Sequence, residues 1–277
     1  MHAGTGDSVL YVLDRQAQQV RTFDALTGKE RRTIGEGSGE GPGEMQKTEQ
    51  LAIAREGKLL ITDLTARAVH VFDASGTFER SLPVGAASPV DVAERADGGW
   101  WVHTSPTPTL FSIYDDEEHL KDVGSIGATQ ADGIGKNGLI LSDPETGDLV
   151  YSARMAGRLL QLTPDGKVAF YRKTITPNDF SKPRSIGNGT FTVDQSNLRA
   201  VRELVGLTDD AIYITAFLMG ELASEHLMVV DRYDRETGDY LYSFAPFNDG
   251  CAVRWVTATS LFTTCDRGAS IERWARD

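Results

Sequence analysis

The chain has 277 residues, 40% of them hydrophobic and 25% charged, which is enough for a sizeable core and ordinary for a globular protein. With 28 basic against 40 acidic residues the formal charge is −12 at pH 7, which repels phosphate backbones and argues against general nucleic-acid binding. No window approaches the ~18 apolar residues of a membrane span, and residues 1–7 carry neither the basic nor the apolar segment of a signal peptide.

Strand signals begin at once. Leu10-Tyr11-Val12-Leu13-Asp14 and Val20-Arg21-Thr22-Phe23-Asp24 read as two strands, followed by the turn Ala25-Leu26-Thr27-Gly28. A glycine-rich stretch, Ile34 to Met45, comes next and reads as a flexible linker. Gln50 to Ala54 predicts a strand, Arg55-Glu56-Gly57 a turn, and Lys58 to Asp63 the next strand. Ala68 to Asp73 predicts a third strand, and Thr77 to Leu82, after the turn at Ala74-Ser75-Gly76, a fourth. Asp14 to Asp63 is 49 residues, and so is Phe23 to Phe72. A period of that length is the mark of a repeated supersecondary unit.

The hairpin recurs at Pro164-Asp165-Gly166-Lys167 and Asp234-Arg235-Glu236-Thr237-Gly238, with a degenerate copy from Tyr114 to Glu118. Asp can bond its own downstream backbone, and Gly accepts the positive φ that such a turn demands. The ends of the second strands recur at His103, Ser152, Thr215 and Cys265, giving intervals of 49, 40, 49, 63 and 50. The long interval holds an insertion over 177–197. Leu198 to Leu207 has some helical character but falls where the first strand of the fifth unit is needed.

This pattern predicts an all-β chain, a six-bladed β-propeller of four-stranded antiparallel blades. It reads as one domain over 1–277, with blades near 8–35, 36–85, 86–128, 129–176, 177–247 and 248–277. An irregular β-sandwich or two small β domains is the runner-up. The inner strand of blade one and the outer strand of blade six are missing from the pattern. A preceding segment of roughly 20 residues, with a targeting signal in it, is therefore expected.

The segment Ile34-Gly35-Glu36-Gly37-Ser38-Gly39-Glu40-Gly41-Pro42-Gly43-Glu44-Met45 resembles the linker of NHL-type six-bladed propellers, especially the bacterial "6-bladed β-propeller" proteins. Leu60-Ile61-Thr62-Asp63 and Val69-His70-Val71-Phe72-Asp73-Ala74-Ser75-Gly76 share that likeness. It is strong over residues 8–85 and weakens beyond, where the second-strand Asp is lost at His103 and Ser152. The resemblance implies an extracytoplasmic protein, periplasmic or on the cell surface. Relatives within the wider fold include calcium-dependent lactonases, amidating lyases and RNA- or protein-binding modules, so the fold does not give the function.

No His-Glu-x-x-His, phosphate-binding Gly-x-x-x-x-Gly-Lys or Gly-x-Ser-x-Gly motif is present. Three constellations remain. Arg15, Arg67, Arg154 and Arg267 fall in turns after second strands, on one face of a propeller, where guanidiniums suit a carboxylate, sulfate or phosphate; arginine is also at ease in solvated turns, the more ordinary reading. Glu49, Asp91, Asn137, Glu203, Asn248 and Asp249 lie near the starts of inner strands, where oxygen ligands suit calcium or magnesium; turn chemistry accounts for Asn137, Asn248 and Asp249 without a metal. Phe217-Leu218-Met219-Gly220-Glu221-Leu222 places apolar residues where a polar turn is expected: an exposed patch for a partner, an extended strand, or a loop folded over the core. Adjacent Trp100 and Trp101 point to opposite faces, so one is core and Trp101 is a stacking candidate.

Four histidines, His70, His103, His119 and His226, show no metal-ligand spacing and read as structural or solvated. Asn188-Gly189-Thr190 fits a glycosylation sequon but is first a turn signal. Cys251 and Cys265 oppose each other across a hairpin, either as a disulfide or as a buried free pair. The favoured reading is a non-catalytic binding or scaffold module that recognises a protein, peptide or glycan on one face, without nucleic acid, membrane segment or cofactor. The alternative is a metal-dependent, lactonase-like hydrolase or lyase with calcium at the channel mouth.

Overall fold

A computed structural model describes residues 2–3, 8–85, 87–105, 109–115, 119–125, 137–175, 184–187, 190–192, 198–219, 228–245, 251–265 and 270–276. The chain is all-β, and among the described residues helical structure is confined to one 3₁₀ turn at Arg55–Gly57. Two compact units divide it: Met1–Thr104 with Phe111–Asp122, and Ser105–Leu110 with Val123–Asp277.

The first unit carries three four-stranded antiparallel sheets. They are β1 (His2–Ala3), β2 (Val9–Asp14), β3 (Gln19–Asp24) and β4 (Glu30–Ile34); then, after the short β5 (Gly37–Ser38) and β6 (Glu44–Met45), β7 (Thr48–Ile53), β8 (Leu59–Asp63), β9 (Ala68–Phe72) and β10 (Phe78–Pro83); and β11 (Ser88–Glu94), β12 (Trp100–Ser105), β13 (Thr109–Tyr114) and β14 (His119–Ser125). The expected gap at the first inner strand is corrected: His2 and Ala3 pair with Tyr11 and Leu10 as a two-residue strand.

The second unit has β15 (Gly138–Ser142), β16 (Leu149–Ala153), β17 (Arg158–Leu162) and β18 (Val168–Lys173), and a small ribbon of β19 (Arg184–Gly187) and β20 (Thr190–Thr192) within the insertion. There follow β21 (Ala200–Leu207), β22 (Ala211–Leu218), β23 (Met228–Asp234) and β24 (Tyr240–Phe244), then β25 (Ala252–Val256), β26 (Ser260–Cys265) and β27 (Ser270–Ala275). The last seven strands form one sheet only because Gly206 and Val256 make a single parallel bridge between β21 and β25. The stretch with helical character is thus a strand: β21 is buried on the side that packs on its neighbours, and tertiary packing overrides its weak local preference.

Turn chemistry sets the hairpins. Asp24, Asp143 and Asp234 each accept the backbone N–H groups two and three residues on at 2.8–3.1 Å. Four residues on, Gly28, Gly147 and Gly238 close the turn at φ of 68°, 76° and 70°, a region costly for any residue with a Cβ. The same carboxylate habit ends the second strands: Asp14 caps the N–H groups of Gln16 and Ala17, and Asp63 those of Thr65 and Ala66.

Within each unit the core lies between consecutive sheets. Tyr11, Val20, Ile34, Leu59, Ile61 and Phe72 join the first two sheets, with Met45 of the glycine-rich segment plugged among them. That segment is not a loose linker. Glu44 folds back so that its carboxylate accepts the Gly41 N–H at 2.7 Å, and a Cβ on Gly39 would stand 2.0 Å from that carboxylate. In the second unit Leu139, Val150, Leu159, Leu204, Ile212 and Tyr233 fill one inter-sheet layer, and Val205, Tyr213, Val230, Val253, Val256 and Leu261 the next. Sheets stacked face to face by aliphatic layers are the packing of propeller blades.

Candidate functional site

In both units the turn after a second strand leans on the first strand of the next sheet. Gln18 Oε1 accepts the Thr48 N–H at 2.8 Å, and Arg15 bonds the Glu49 carbonyl and sits 3.1 Å from its carboxylate. In the second unit the Arg154 carbonyl accepts the Arg202 N–H at 2.8 Å, and Arg154 Nη2 donates to Glu203 Oε1 at 2.8 Å. Arg15 and Arg154 therefore do the same thing: each pins its turn to a Glu on the next inner strand.

Register separates the four turn arginines into two kinds. Asp14 pairs with Gln19 and Asp63 with Ala68, while Ser152 pairs with Leu159, one rung inside the turn. Ala153, not Ser152, thus stands where Asp14 and Asp63 do. Arg15 and Arg154 immediately follow that position, which Leu64 fills in the second sheet. Arg67 instead holds the left-handed site at φ 51°, shared with Gln18 at 56° and Gly157 at 58°. Its side chain is exposed. Arg267 lies outside the described residues. A ring of four equivalent arginines is not what the turns build.

What they do build is centred on Glu203. Glu203 on β21 gives Oε1 to Arg154 and Oε2 to Arg254 Nη1 at 2.9 Å, Arg254 coming from β25. Arg254 Nε donates to Thr264 Oγ1 on β26 at 3.1 Å, and its guanidinium carbon lies 5.8 Å from the Phe217 ring centre. The Glu203 side chain is 19% exposed, those of Arg154 and Arg254 24% and 37%. Burial would push the Glu203 carboxyl up, but Arg254 and Arg154 more than offset it and hold it below its ordinary value. Among the described residues, two guanidiniums share one carboxylate. Such a cluster can hold an anion by charge-assisted hydrogen bonds.

Phe217 closes the end of β22, paired with Val201 and Met228, so the first two residues of the apolar run extend the strand. Met219 is 41% exposed beside it, and residues 220–222 lie outside the described residues. The Cys251 and Cys265 sulfurs are bonded at 2.00 Å, one rung from Ala252 and Thr264, which ties together the two strands that carry Arg254 and Thr264. Glu272 lies close to both sulfurs, but cystine sulfurs are poor metal ligands because only the thiolate binds well.

The other candidates scatter. Glu49 is engaged by Arg15. Asn137 accepts the Arg154 N–H through its backbone carbonyl at 2.9 Å, and its Oδ1 is buried without a hydrogen-bond partner. Asn248 and Asp249 lie outside the described residues. Trp101 is corrected as a stacking platform: it is 0% exposed, edge-on to Phe111 with the Arg95 guanidinium over its ring, and Trp100 is buried too. Both faces of β12 are covered, so alternation could not leave one ring in solvent.

One arrangement has the composition of a nucleophile, base and acid. His70 Nδ1 is 2.8 Å from Ser81 Oγ, and His70 Nε2 is 3.4 Å from Asp63 Oδ2. Asp63 is already committed to the fold. Burial alone would raise its carboxyl, but His70 and the N–H groups of Ala66, Gln46 and Lys47 hold it well below the usual carboxylate range. Those bonds fix the turn and the start of β7, so the group acts as a buried fastener between neighbouring strands. Sequence reasoning named Glu203 among the inner-strand acids but missed Arg254, whose only signal was a basic residue inside an inner strand.

No protein-family model matches the chain, and no curated protein matches it by sequence. Solved structures do. A protein of Bacteroides fragilis described as exported superposes with a TM-score of 0.65 at 12% identity, covering 96% of this chain and 78% of that one. The virginiamycin B lyase of Staphylococcus aureus gives 0.58 at 14% identity over 100% and 83%, and the WD40 repeats of RRP9 give 0.63 at 10% identity over 99% and 74%. At such identities the likeness is one of fold alone, and with the stacked four-stranded sheets it makes this chain a β-propeller.

Proposed function

We propose that the chain is a six-bladed, NHL-type propeller folded as one domain, acting outside the cytoplasm as a non-catalytic binding module. Its ligand, a protein, peptide or glycan, docks on the face that carries the turns after the second strands. The observation behind this reading is the Arg154–Glu203–Arg254 cluster: two arginines, one from the turn after β16 and one from β25, hydrogen-bonded to the same carboxylate on β21 and still partly open to solvent. A fixed, cross-braced polar surface suits recognition, since little side-chain freedom is lost on binding.

A hydrolase of the lactonase kind needs carboxylate and amide oxygens turned together on a metal. Glu49 and Glu203 are instead turned onto arginines, which supports binding over metal chemistry. Cys251–Cys265 supports an oxidising compartment, as does the fold likeness to a protein described as exported.

The test is affinity capture from the native source with the immobilised chain. Arg254→Ala alters the proposed face, and Asp165→Ala with Lys167→Ala alters the hairpin turns at the other ends of the strands. A defined partner retained by the native chain and the hairpin variant but lost with Arg254→Ala is expected. A partner that ignores Arg254 and follows the hairpin variant would place recognition elsewhere.

A further inference from the structure

We infer that the chain forms a weak two-fold dimer in which the outer edge of β24 pairs with the same edge of a second copy, a surface separate from the arginine–glutamate cluster. The last strand of a sheet has backbone N–H and C=O groups with no neighbour on one side, and proteins guard such edges with charge, proline or a bulge. The strands that end sheets here are β4, β10, β14, β18, β24 and β27. Each of β4, β10, β14, β18 and β27 carries at least two charged residues, and β10 a proline as well. β24, Tyr240-Leu241-Tyr242-Ser243-Phe244, carries neither. Tyr240, Leu241 and Tyr242 are 39%, 44% and 48% exposed, and among the described residues β24 pairs with β23 alone. Its one irregularity, a bulge between Tyr240 and Tyr242, recurs in β4, β10 and β18, so it belongs to the blade and is no special guard of this edge.

Symmetry and charge identify the occupant as a second copy. Tyr242 and Phe244 share one side of β24, with ring centres 6.3 Å apart and the Arg232 guanidinium 5.4 Å from the Tyr242 ring. An antiparallel copy related by a two-fold axis at Ser243 sets Tyr242 opposite Phe244 of the second copy, and the reverse. Four rings then line one side of the joint, and aromatic cross-strand pairs are stabilising. Ser243, a small residue whose hydroxyl is turned onto Asp231 at 2.5 Å, stands at the axis, where the copies come closest. The flanking charges are turned into the chain: Arg232 bonds Asp210, and Asp239 accepts Arg172 at 2.9 Å. Copies of a chain with net charge −12 repel one another, so they join most readily where the facing strip carries no charge. The joint uses the same edge on both copies, which closes the assembly at two. Its regular part is short, which places it among weak, transient interfaces.

Sedimentation velocity of the whole chain from about 1 µM to about 1 mM tests the inference. A monomer–dimer equilibrium with no larger species is expected, and raising the salt from about 0.05 M to about 0.5 M should tighten it, because screening weakens the repulsion between like-charged copies. Tyr242→Lys sets a charge on the exposed edge and should weaken the dimer at least tenfold, whereas Leu26→Lys, at an apolar side chain 79% exposed on a hairpin of the first unit, should leave it unchanged. Hydrogen exchange on the native chain gives the same answer without a variant: amides of β24 should exchange more slowly as concentration rises, and those of β4 should not. A chain monomeric throughout, a dimer indifferent to Tyr242→Lys, a dimer loosened by salt, or β24 amides that do not respond to concentration would overturn the inference. So would open-ended assembly, which rules out a closed two-fold joint, and protection of β24 only when a different protein is added, which gives the edge to a foreign strand.

Discussion

Arg154 and Glu203 are 49 residues apart in sequence and 2.8 Å apart in space. The contact repeats that of Arg15 with Glu49 in the first unit. In each unit an arginine at the end of one second strand meets a glutamate at the start of the next inner strand. In the second unit the pair gains Arg254, and a fastening contact becomes a charged cluster.

Removal of Glu203 leaves two half-sheltered guanidiniums facing each other. Glu203→Ala should lower stability by about 2 kcal/mol, the cost of breaking a mostly buried pair that keeps some water. Urea unfolding at neutral pH checks this. Arg15→Ala, which breaks the more exposed copy, should cost less than about 1 kcal/mol.

Asp63 should govern the acid limb of stability. Its carboxyl titrates lower in the folded chain than in the unfolded one, held there by His70 and backbone N–H groups against the effect of burial. A depressed folded value stabilises above the ordinary carboxylate range, and that stability is lost as pH falls through it. Glu203 acts in the same sense. Asp63→Asn should therefore cost roughly 2 kcal/mol near pH 7 and flatten the loss of stability between pH 5 and pH 3, seen in unfolding curves taken across that range.

Gly206 lets β21 and β25 touch. A Cβ there would stand 2.5 Å from the Val256 carbonyl oxygen, a backbone atom that cannot swing away. Gly206→Ala should destabilise by roughly 1–3 kcal/mol and lower the melting temperature, whereas Gly85→Ala, with open space around its Cβ, should show only the smaller effect of its positive φ.

Cys251 and Cys265 should resist alkylation in the unreduced chain, read by intact mass. Reduction, or replacement of both by serine, should cost about 3 kcal/mol, as for a closed loop of ~15 residues, and should loosen the strands that hold Arg254 and Thr264.

The sequence made the architecture readable because the same turn chemistry recurs. Asp14 and Asp63, Asp24 and Asp234, and the glycine four residues after each hairpin Asp mark strand ends by hydrogen bonds local to the turn. The site was only half readable. Arg154 and Glu203 were noticed separately, one as a base and one as an acid, because the contact that unites them crosses between sheets and leaves no local pattern. Arg67 shares with Arg154 a place in the turn after a second strand, but it stands three residues beyond the position that Arg15 and Arg154 fill, at the left-handed last residue of the turn. Trp101 misled for a similar reason: alternation gives the side of a strand, and in a stack of sheets both sides are core.

The most direct measurement is of the arginine side chains themselves. In the chain labelled with nitrogen-15 at arginine, the Nε–H signals of Arg154 and Arg254 should be protected from solvent exchange and should shift on addition of the partner recovered by affinity capture, while the exposed Arg67 stays in place. Shifts at Arg67 equal to those at Arg254, or no shift at Arg154 and Arg254 as the ligand saturates, would contradict recognition at this cluster.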